Sequence, residues 1–337
     1  MNLQNKIIQY IEHNLWSTVT LKNYLLLPLS LIYTLLKTIK YYLLQRPVKF
    51  SSKIICVGNT ASGGCGKTPI IIRLVQLLST HTDNKIVVVT KGYKGSLSSY
   101  NKAIKVRLKE NTYQEVGDEA LLIAHYTDVF ISKKRKLAIK MAQDSGAKLI
   151  LLDDGLQDNS IYKDYSILTI NTDMLDNNNV NTFLIPAGPM RENLKTSIKK
   201  SNTIILSDHD SHFIKKQHFF GKNLFHQQQV IHNMEYIKNK KFVFLCGIAQ
   251  PKRVIQTVRK LNATILKIHL FPDHYKYSIN ELKKIYNEAK YLGCYILTTT
   301  KDLIRIDRQF YNCTTVIDYS IKFDDEKKLI QTIISII

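Results

Sequence analysis

Glycine is scarce in this chain, with 13 in 337 residues, so any cluster of it marks a purpose. Cysteine is scarcer: five residues, an odd number, with no C-x-x-C pair. That excludes a disulfide framework and a zinc ribbon and points to a reducing, cytoplasmic setting. Acidic residues are also few, 27 against 48 Lys and Arg, leaving a formal charge of +21. Such a surface attracts anions, whether nucleic acid, acidic lipid or phosphorylated small molecules. A general richness in Lys, Asn, Ile and Tyr accounts for part of the excess without any partner. With 45% hydrophobic and 22% charged residues the chain is not a disordered one, and its length leaves room for two domains.

A bilayer-length apolar run is missing too. The stretch YLLLPLSLIYTLL (Tyr24–Leu36) holds thirteen residues before KTIK interrupts it, short of the about 20 that span a membrane. No small-residue cleavage site follows a basic start, so a signal peptide is not expected. Residues 1–50 carry six Lys or Arg against one acid. Ile32, Leu35, Leu36, Ile39 and Leu43 fall on one face of a helix, and Ile7, Ile8, Ile11 and Leu15 make a second, shorter stripe. One reading is an interfacial helix on an acidic leaflet, with Lys37 and Lys40 reaching toward headgroups. The other is a helix packed on the domain behind it.

The glycines gather in VGNTASGGCGKTP (Val57–Pro69). KIICVGN reads as a buried strand and PIIIRLVQLL as a helix opening with proline. Strand, glycine loop and helix together predict a phosphate cradle formed by Ala61, Ser62, Gly63, Gly64, Cys65, Gly66, Lys67 and Thr68. Freed backbone N–H groups and the helix start face phosphate. Lys67 would neutralise its oxygens, and Thr68 would offer a hydroxyl to Mg2+. The usual pattern wants glycine where Ala61 stands. The G-G-x-G-K-T form resembles partitioning ATPases, but those carry lysine where this chain has Ser62.

KIVVVT (Lys85–Thr90), AKLILLDDG (Ala147–Gly155) and YSILTI (Tyr165–Ile170) read as further buried strands alternating with helices such as EALLIAHY and KKRKLAIKMAQ. This predicts an α/β fold with a parallel sheet covered on both faces. Asp153 and Asp154 end a strand, where such folds place ligands and where a Mg2+-binding acid is expected.

Seven segments then occur in order: VGNTASGGCGKTP, VGDEA (Val116–Ala120), LLDDGLQ (Leu151–Gln157), LIPAGPMRE (Leu184–Glu192), LCGIAQP (Leu245–Pro251), FPDHY (Phe271–Tyr275) and TTKDLIR (Thr299–Arg305). Together they resemble the tetraacyldisaccharide 4'-kinases of lipid A synthesis. The resemblance implies transfer of the γ-phosphate of ATP to the 4'-hydroxyl of a lipid A disaccharide 1-phosphate. It places the chain peripherally at the cytoplasmic face of the bacterial inner membrane, with no nucleic acid partner. It also implies a P-loop α/β domain joined by a two-stranded hinge to a smaller α/β domain: an interfacial segment at 1–50, the kinase domain at 51–224, a hinge at 225–241 and the smaller domain at 242–337.

On the same basis Asp118 is expected as catalytic base and His274 as its orienting partner, with Lys67 completing the catalytic set. Glu119 either helps hold Mg2+ or balances a helix start, while Asp153 and Asp154 share Mg2+ coordination and nucleotide positioning. Asn59, Lys91, Tyr93, Gln157, Arg191 and Glu192 are expected on the lipid substrate. Lys91 stands where arginine is expected and Asp158 where histidine is, which changes the local charge. Lys301, Asp302 and Arg305 either support the nucleotide side of the cleft or form a structural ion pair. The closing DDEKKLIQTIISII reads as an amphipathic helix used in core packing. The competing function is a membrane-associated partitioning or targeting ATPase that switches a protein partner.

Overall fold

The structure is a computed structural model and describes residues 15–16, 18–43, 46–62, 66–99, 101–172, 175, 181–207, 219 and 221–336. Among these, the first strands are β1 (Lys53–Asn59), β2 (Ile86–Thr90), β3 (Ile104–Lys105), β4 (Asp128–Ile131), β5 (Leu149–Asp153), β6 (Tyr165–Asn171), β7 (Thr203–Ser207) and β8 (Asn223–Ile231). They continue as β9 (Lys241–Cys246), β10 (Thr264–Leu270), β11 (Tyr295–Thr299), β12 (Thr314–Ile317) and β13 (Tyr319–Phe323). The larger sheet runs β13-β8-β7-β6-β1-β5-β2-β4-β3. Its neighbours are parallel from β8 to β4, and the edge strands β3 and β13 pair antiparallel.

The apolar runs make this sheet because both faces are covered. On one face Ile70, Ile71, Leu74 and Leu78 of the helix Lys67–Ser79 pack with Ile123 and with Leu329, Ile330 and Ile333. On the other, Ala138, Ile139 and Ala142 of the helix Arg135–Asp144 cover Val87, Val89, Ile150 and Leu152. The smaller sheet, β10-β9-β11-β12, is parallel throughout. It is sandwiched between the helices Pro251–Lys260 and Ile279–Tyr291. The expected α/β architecture with a parallel P-loop-type sheet is therefore present.

The chain crosses between the sheets differently from the sequence partition. Residues 225–231, read as hinge, are strand: Asn223–Gln227 pair with β7, and Gln227–Ile231 pair with β13. The expected smaller domain runs to 337, yet β13 and the helix Glu326–Ile334 return to the larger sheet. The reason is burial. Leu329, Ile330 and Ile333 are buried in one core with Ile70, Ile71 and Leu74 of the phosphate-loop helix, and Arg73 grips Glu326 through two bonds of 2.9 and 2.7 Å.

The N-terminal helix Leu21–Leu43 is inside out. Asn23, Ser30, Thr34 and Lys37 share one stripe, and this polar stripe meets the protein. Asn23 donates to the Ala187 carbonyl at 2.8 Å, Ser30 donates to Leu184 at 2.8 Å, and Lys37 donates to Arg191 at 2.8 Å. The opposite face presents Leu25, Leu31 and Leu35 at 73%, 71% and 60% exposure. Lys37 thus does not reach outward as the sequence suggested; it turns inward to Glu192 at 3.6 Å. Lys40's side chain, and the stripe at Ile7, Ile8 and Ile11, lie outside the described residues. No described helix is long and apolar enough to cross a membrane.

Truncating Leu329 to alanine is expected to cost about 2–5 kcal/mol, as for other fully buried leucines. Urea unfolding of the whole chain reads this loss, and a change well under 1 kcal/mol would contradict the placement of the last helix in the larger unit's core.

Candidate functional site

The site lies where β1 sits between β5 and β6, at the carboxyl ends of the strands, the position that the sheet's reversal of order leaves open. Gly66 caps the helix Lys67–Ser79 with φ of 67°, a left-handed backbone that suits glycine. Ala61 and Ser62 are held from the other side: Ala61 bridges Met190, and the Ser62 amide donates to Pro189 at 2.8 Å. Gly63, Gly64 and Cys65 lie outside the described residues. Thr68 occupies the helix's first turn, beside Lys67.

Lys67 points back over the loop. Its Nζ is 3.0 Å from Asn59 Oδ1 and 3.2 Å from Asp154 Oδ1. Asp154 sits in a left-handed turn, φ 52°, and its other oxygen takes Arg191 at 2.7 Å. Burial opposes its charge, but Lys67 and Arg191 outweigh it and hold the carboxyl below the ordinary range. Asp153 differs. Oδ2 accepts from Thr90 at 2.9 Å, while Oδ1 is buried without a hydrogen-bond partner. Burial first, then nearby Glu119 and Asp154, push its pKa up to about 6, against the opposing Lys67.

An orphaned carboxylate oxygen beside a phosphate loop fits a cation shared with phosphates. Among the described residues no group of three or more His, Cys, Asp or Glu is placed to cage a metal alone. Mg2+ asks for no such cage, since one or two carboxylates plus phosphate oxygens and water suffice.

Arg135 was missed by the sequence reading, where it passes as one cation in KKRKLAIKMAQ. It is buried and donates to the carbonyls of Asp153 at 3.1 Å and Asp154 at 2.7 Å, pinning the turn that aims both acids. Asp158 pairs with it at 3.3 Å, so the aspartate at this position neutralises a buried arginine. Lys91 stands in the field of Arg135, Asp158, Asp154 and Arg191; burial and Arg135 lower its pKa.

A polar chain leads away from the loop. Gln157 donates to the Asn59 carbonyl at 2.7 Å and to Glu192 at 3.2 Å. Glu192 is buried and also meets Ser197 at 2.9 Å and Lys200 at 2.8 Å. Arg191 and Glu192, paired in sequence as substrate contacts, therefore face different partners, Arg191 the aspartate turn and Glu192 this network.

The second cluster bridges the two sheets. Gly117, with φ of 90°, brings the chain so close to Tyr93 that a Cβ would lie 2.6 Å from the Tyr93 carbonyl. This turn starts the helix Asp118–Ile123 and buries Asp118. From the smaller unit His274, itself in a left-handed backbone at φ 61°, places Nδ1 2.8 Å from both Asp118 oxygens. A histidine there is uncommon and marks a turn shaped for its side chain. Arg305 Nε stands 3.6 Å from Asp118. Burial alone would raise the Asp118 pKa, but His274, Lys301 and Arg305 hold it far below the usual carboxylate range. Glu119 meets Lys301 at 3.0 Å, and Tyr93 lies edge-on to the His274 ring at 5.4 Å. Asp302 and Arg305 pair at 2.8 Å inside the smaller unit, and Asp302 also takes Gly247 N and Tyr277 OH. For these two residues the structural ion pair is what the geometry contains.

Known proteins place this arrangement. A profile of the LpxK family, tetraacyldisaccharide-1-P 4'-kinase, matches residues 22–337. The tetraacyldisaccharide 4'-kinase of Rickettsia typhi is 31% identical over 301 residues, covering 89% of this chain and 91% of the relative. That of Rickettsia peacockii is 33% identical over the same length and coverage. The crystal structure of LpxK from Aquifex aeolicus in complex with ATP has the same fold, with a TM-score of 0.76 at 24% identity, covering 94% of this chain and 99% of that one. A match running through the phosphate loop, the aspartate turn and the His274 turn alike means that this chain belongs to the tetraacyldisaccharide-1-P 4'-kinase family.

Proposed function

We propose that this chain transfers the γ-phosphate of ATP to the 4'-hydroxyl of a tetraacyldisaccharide 1-phosphate, a lipid A precursor, at the cytoplasmic face of the bacterial inner membrane. The observation that carries this reading is the Asp118–His274 contact at 2.8 Å, a carboxylate of the larger unit oriented by a histidine of the smaller one. In the transfer, the sugar oxygen forms a bond to Pγ as the bond from Pγ to the β-phosphate oxygen breaks. ADP leaves and the hydroxyl proton passes to Asp118. With Asp118 ionised, His274 Nδ1 carries a proton and donates it in a hydrogen bond that fixes the carboxylate. The depressed pKa makes Asp118 a weak base at rest. That suits a loose transition state, in which the hydroxyl becomes acidic only as its oxygen bonds phosphorus.

Lys67 serves the β/γ oxygens. Thr68 and the free Asp153 oxygen are the groups that would hold Mg2+, with Glu119 as a further acid nearby. Mg2+ supplies neutralisation of phosphate charge when bound. Asp154, tied to Lys67 and Arg191, positions the nucleotide side. Asn59, Gln157, Lys91, Tyr93, Arg191 and Glu192 line the approach for the glycolipid. The outward apolar face of Leu21–Leu43 suits an acidic leaflet, because its polar side is already bonded to protein.

Four outcomes are expected. Purified protein should place label from γ-labelled ATP on the 4' oxygen of the disaccharide lipid; ATP consumption that never marks the lipid would sink the assignment. Asp118→Asn and His274→Ala should each lower turnover about 10²–10⁴-fold, the range for positioned acid–base groups, with ATP binding retained. In His274→Ala the loss of a partner favouring the charged carboxylate raises the Asp118 pKa, so the acid limb of its pH–rate profile should lie at higher pH than that of the wild type. The double variant Leu25→Asp, Leu35→Asp should keep its melting temperature and lose sedimentation with vesicles containing acidic lipid; unchanged sedimentation would remove the interfacial role of this helix.

A further inference from the structure

Lys301 is mounted on a rigid base. Thr299 ends β11, and its hydroxyl accepts from the Asp302 amide at 3.1 Å and donates to the Asp302 carboxylate at 2.7 Å, capping the short helix Thr300–Leu303. Asp302 is fully buried and tied to Gly247, Tyr277 and Arg305. From this base the Lys301 Nζ reaches the border between the two sheets. It lies 3.0 Å from Glu119 Oε1, 3.4 Å from Asp273 Oδ1 and 3.4 Å from His274 Nε2. Burial works against its charge, yet Glu119, Asp273 and Asp118 outweigh burial and hold the ammonium firmly protonated.

Two of these acids, Asp118 and Glu119, belong to the larger unit, and Asp273 belongs to the smaller. Without a cation among them, like charges would face one another across a partly dry cleft, where repulsion is poorly screened. Arg305 adds charge there but makes its hydrogen bonds elsewhere. It is spent on Asp302 at 2.8 Å and the Gly247 carbonyl at 3.0 Å, and it stays 3.6 Å from Asp118. We propose that Lys301 is the electrostatic latch that draws the two units together: a positioning residue that sets the Asp118–His274 contact. The latch is a statement about closure, and only its effect on turnover rests on the kinase reading above.

Amide hydrogen exchange on the full chain with a non-hydrolysable ATP analogue and Mg2+ tests it, alongside turnover. The segments to follow are 91–95 and 271–275, which meet across the cleft through Tyr93 and His274 and through the Lys94 bond to the Asp273 carbonyl. Strands β1 and β5 serve as a folding control. In Lys301→Ala both segments should lose protection together while the control strands keep theirs, ATP affinity should hold, and kcat should fall about 10²-fold, the usual consequence of a small misplacement. Lys301→Arg, which keeps the cation, should restore protection and most turnover. Adding Asp273→Asn to Lys301→Ala should recover part of the protection, because one of the opposed charges is gone.

Wild-type protection at 271–275 in Lys301→Ala overturns the latch, whatever happens to kcat. So does an arginine variant as exposed as the alanine one, or a double variant no better than the single. Should Lys301→Ala lose its control strands, the arginine variant and the double variant still decide. If wild type transfers no phosphate to the glycolipid, the kinase reading fails while the exchange comparison still tests closure.

Discussion

The contact between His274 and Asp118 joins residues 156 positions apart and from different sheets. Much of the architecture serves that contact. The chain leaves the larger sheet through β8, builds a smaller parallel sheet, and returns through β13 beside its point of departure. Two adjacent strands therefore carry both crossings, so the smaller unit is tethered along one edge and its FPDHY turn can face the GDE turn. Left-handed backbone at Gly117 and His274 brings the two side chains to bonding distance. Such conformations persist only where surrounding structure enforces them. Here Gly247, Asp302, Tyr277 and Arg305 do so on one side, and the Gly92–Gly95 segment does so on the other.

Charge balance governs the rest of the cleft. Lys67, Arg135 and Arg191 face Asp153, Asp154 and Asp158, and of these six all but Asp153 stand in an ion pair within the protein. The exception is Asp153, whose buried free oxygen and raised pKa show a carboxylate short of a positive partner. In an apolar core that shortage would be a defect. At the carboxyl end of β5, beside a phosphate loop, it leaves an acid able to share a cation with bound phosphates.

The first described helix turns the usual logic of amphipathic packing around. The Asn23 amide, the Ser30 hydroxyl and Lys37 dock onto the 184–192 segment, which includes Arg191 and Glu192, and the helix's leucines face away. A helix packed by hydrophobic burial would do the reverse. The outward leucine face and the loop beside the phosphate site are thus parts of one bonded unit, continuing through Glu192, Gln157 and Asn59 to Lys67.

Local chemistry was enough to read some of this from the residues alone. A glycine cluster between an apolar strand and a proline-started helix admits few meanings, and buried runs ending in Asp-Asp belong to a parallel sheet because only such strands are covered on both faces. Ordered motifs carried the family and pointed to Asp118 and His274. Other features depend on partners distant in sequence. Arg135 looks like any cation in a lysine-rich helix until the carbonyls of Asp153 and Asp154 close around it. Lys37 reads as a headgroup-seeking side chain until Glu192 appears beside it. The final helix is amphipathic in any context, and only its packing beside the Lys67–Ser79 helix assigned it to the larger sheet. Periodicity tells which face of an element is apolar; which surface that face meets, and whether a charge is answered by protein or by solvent, is settled by the folded chain, because burial and Coulomb energy depend on neighbours in space.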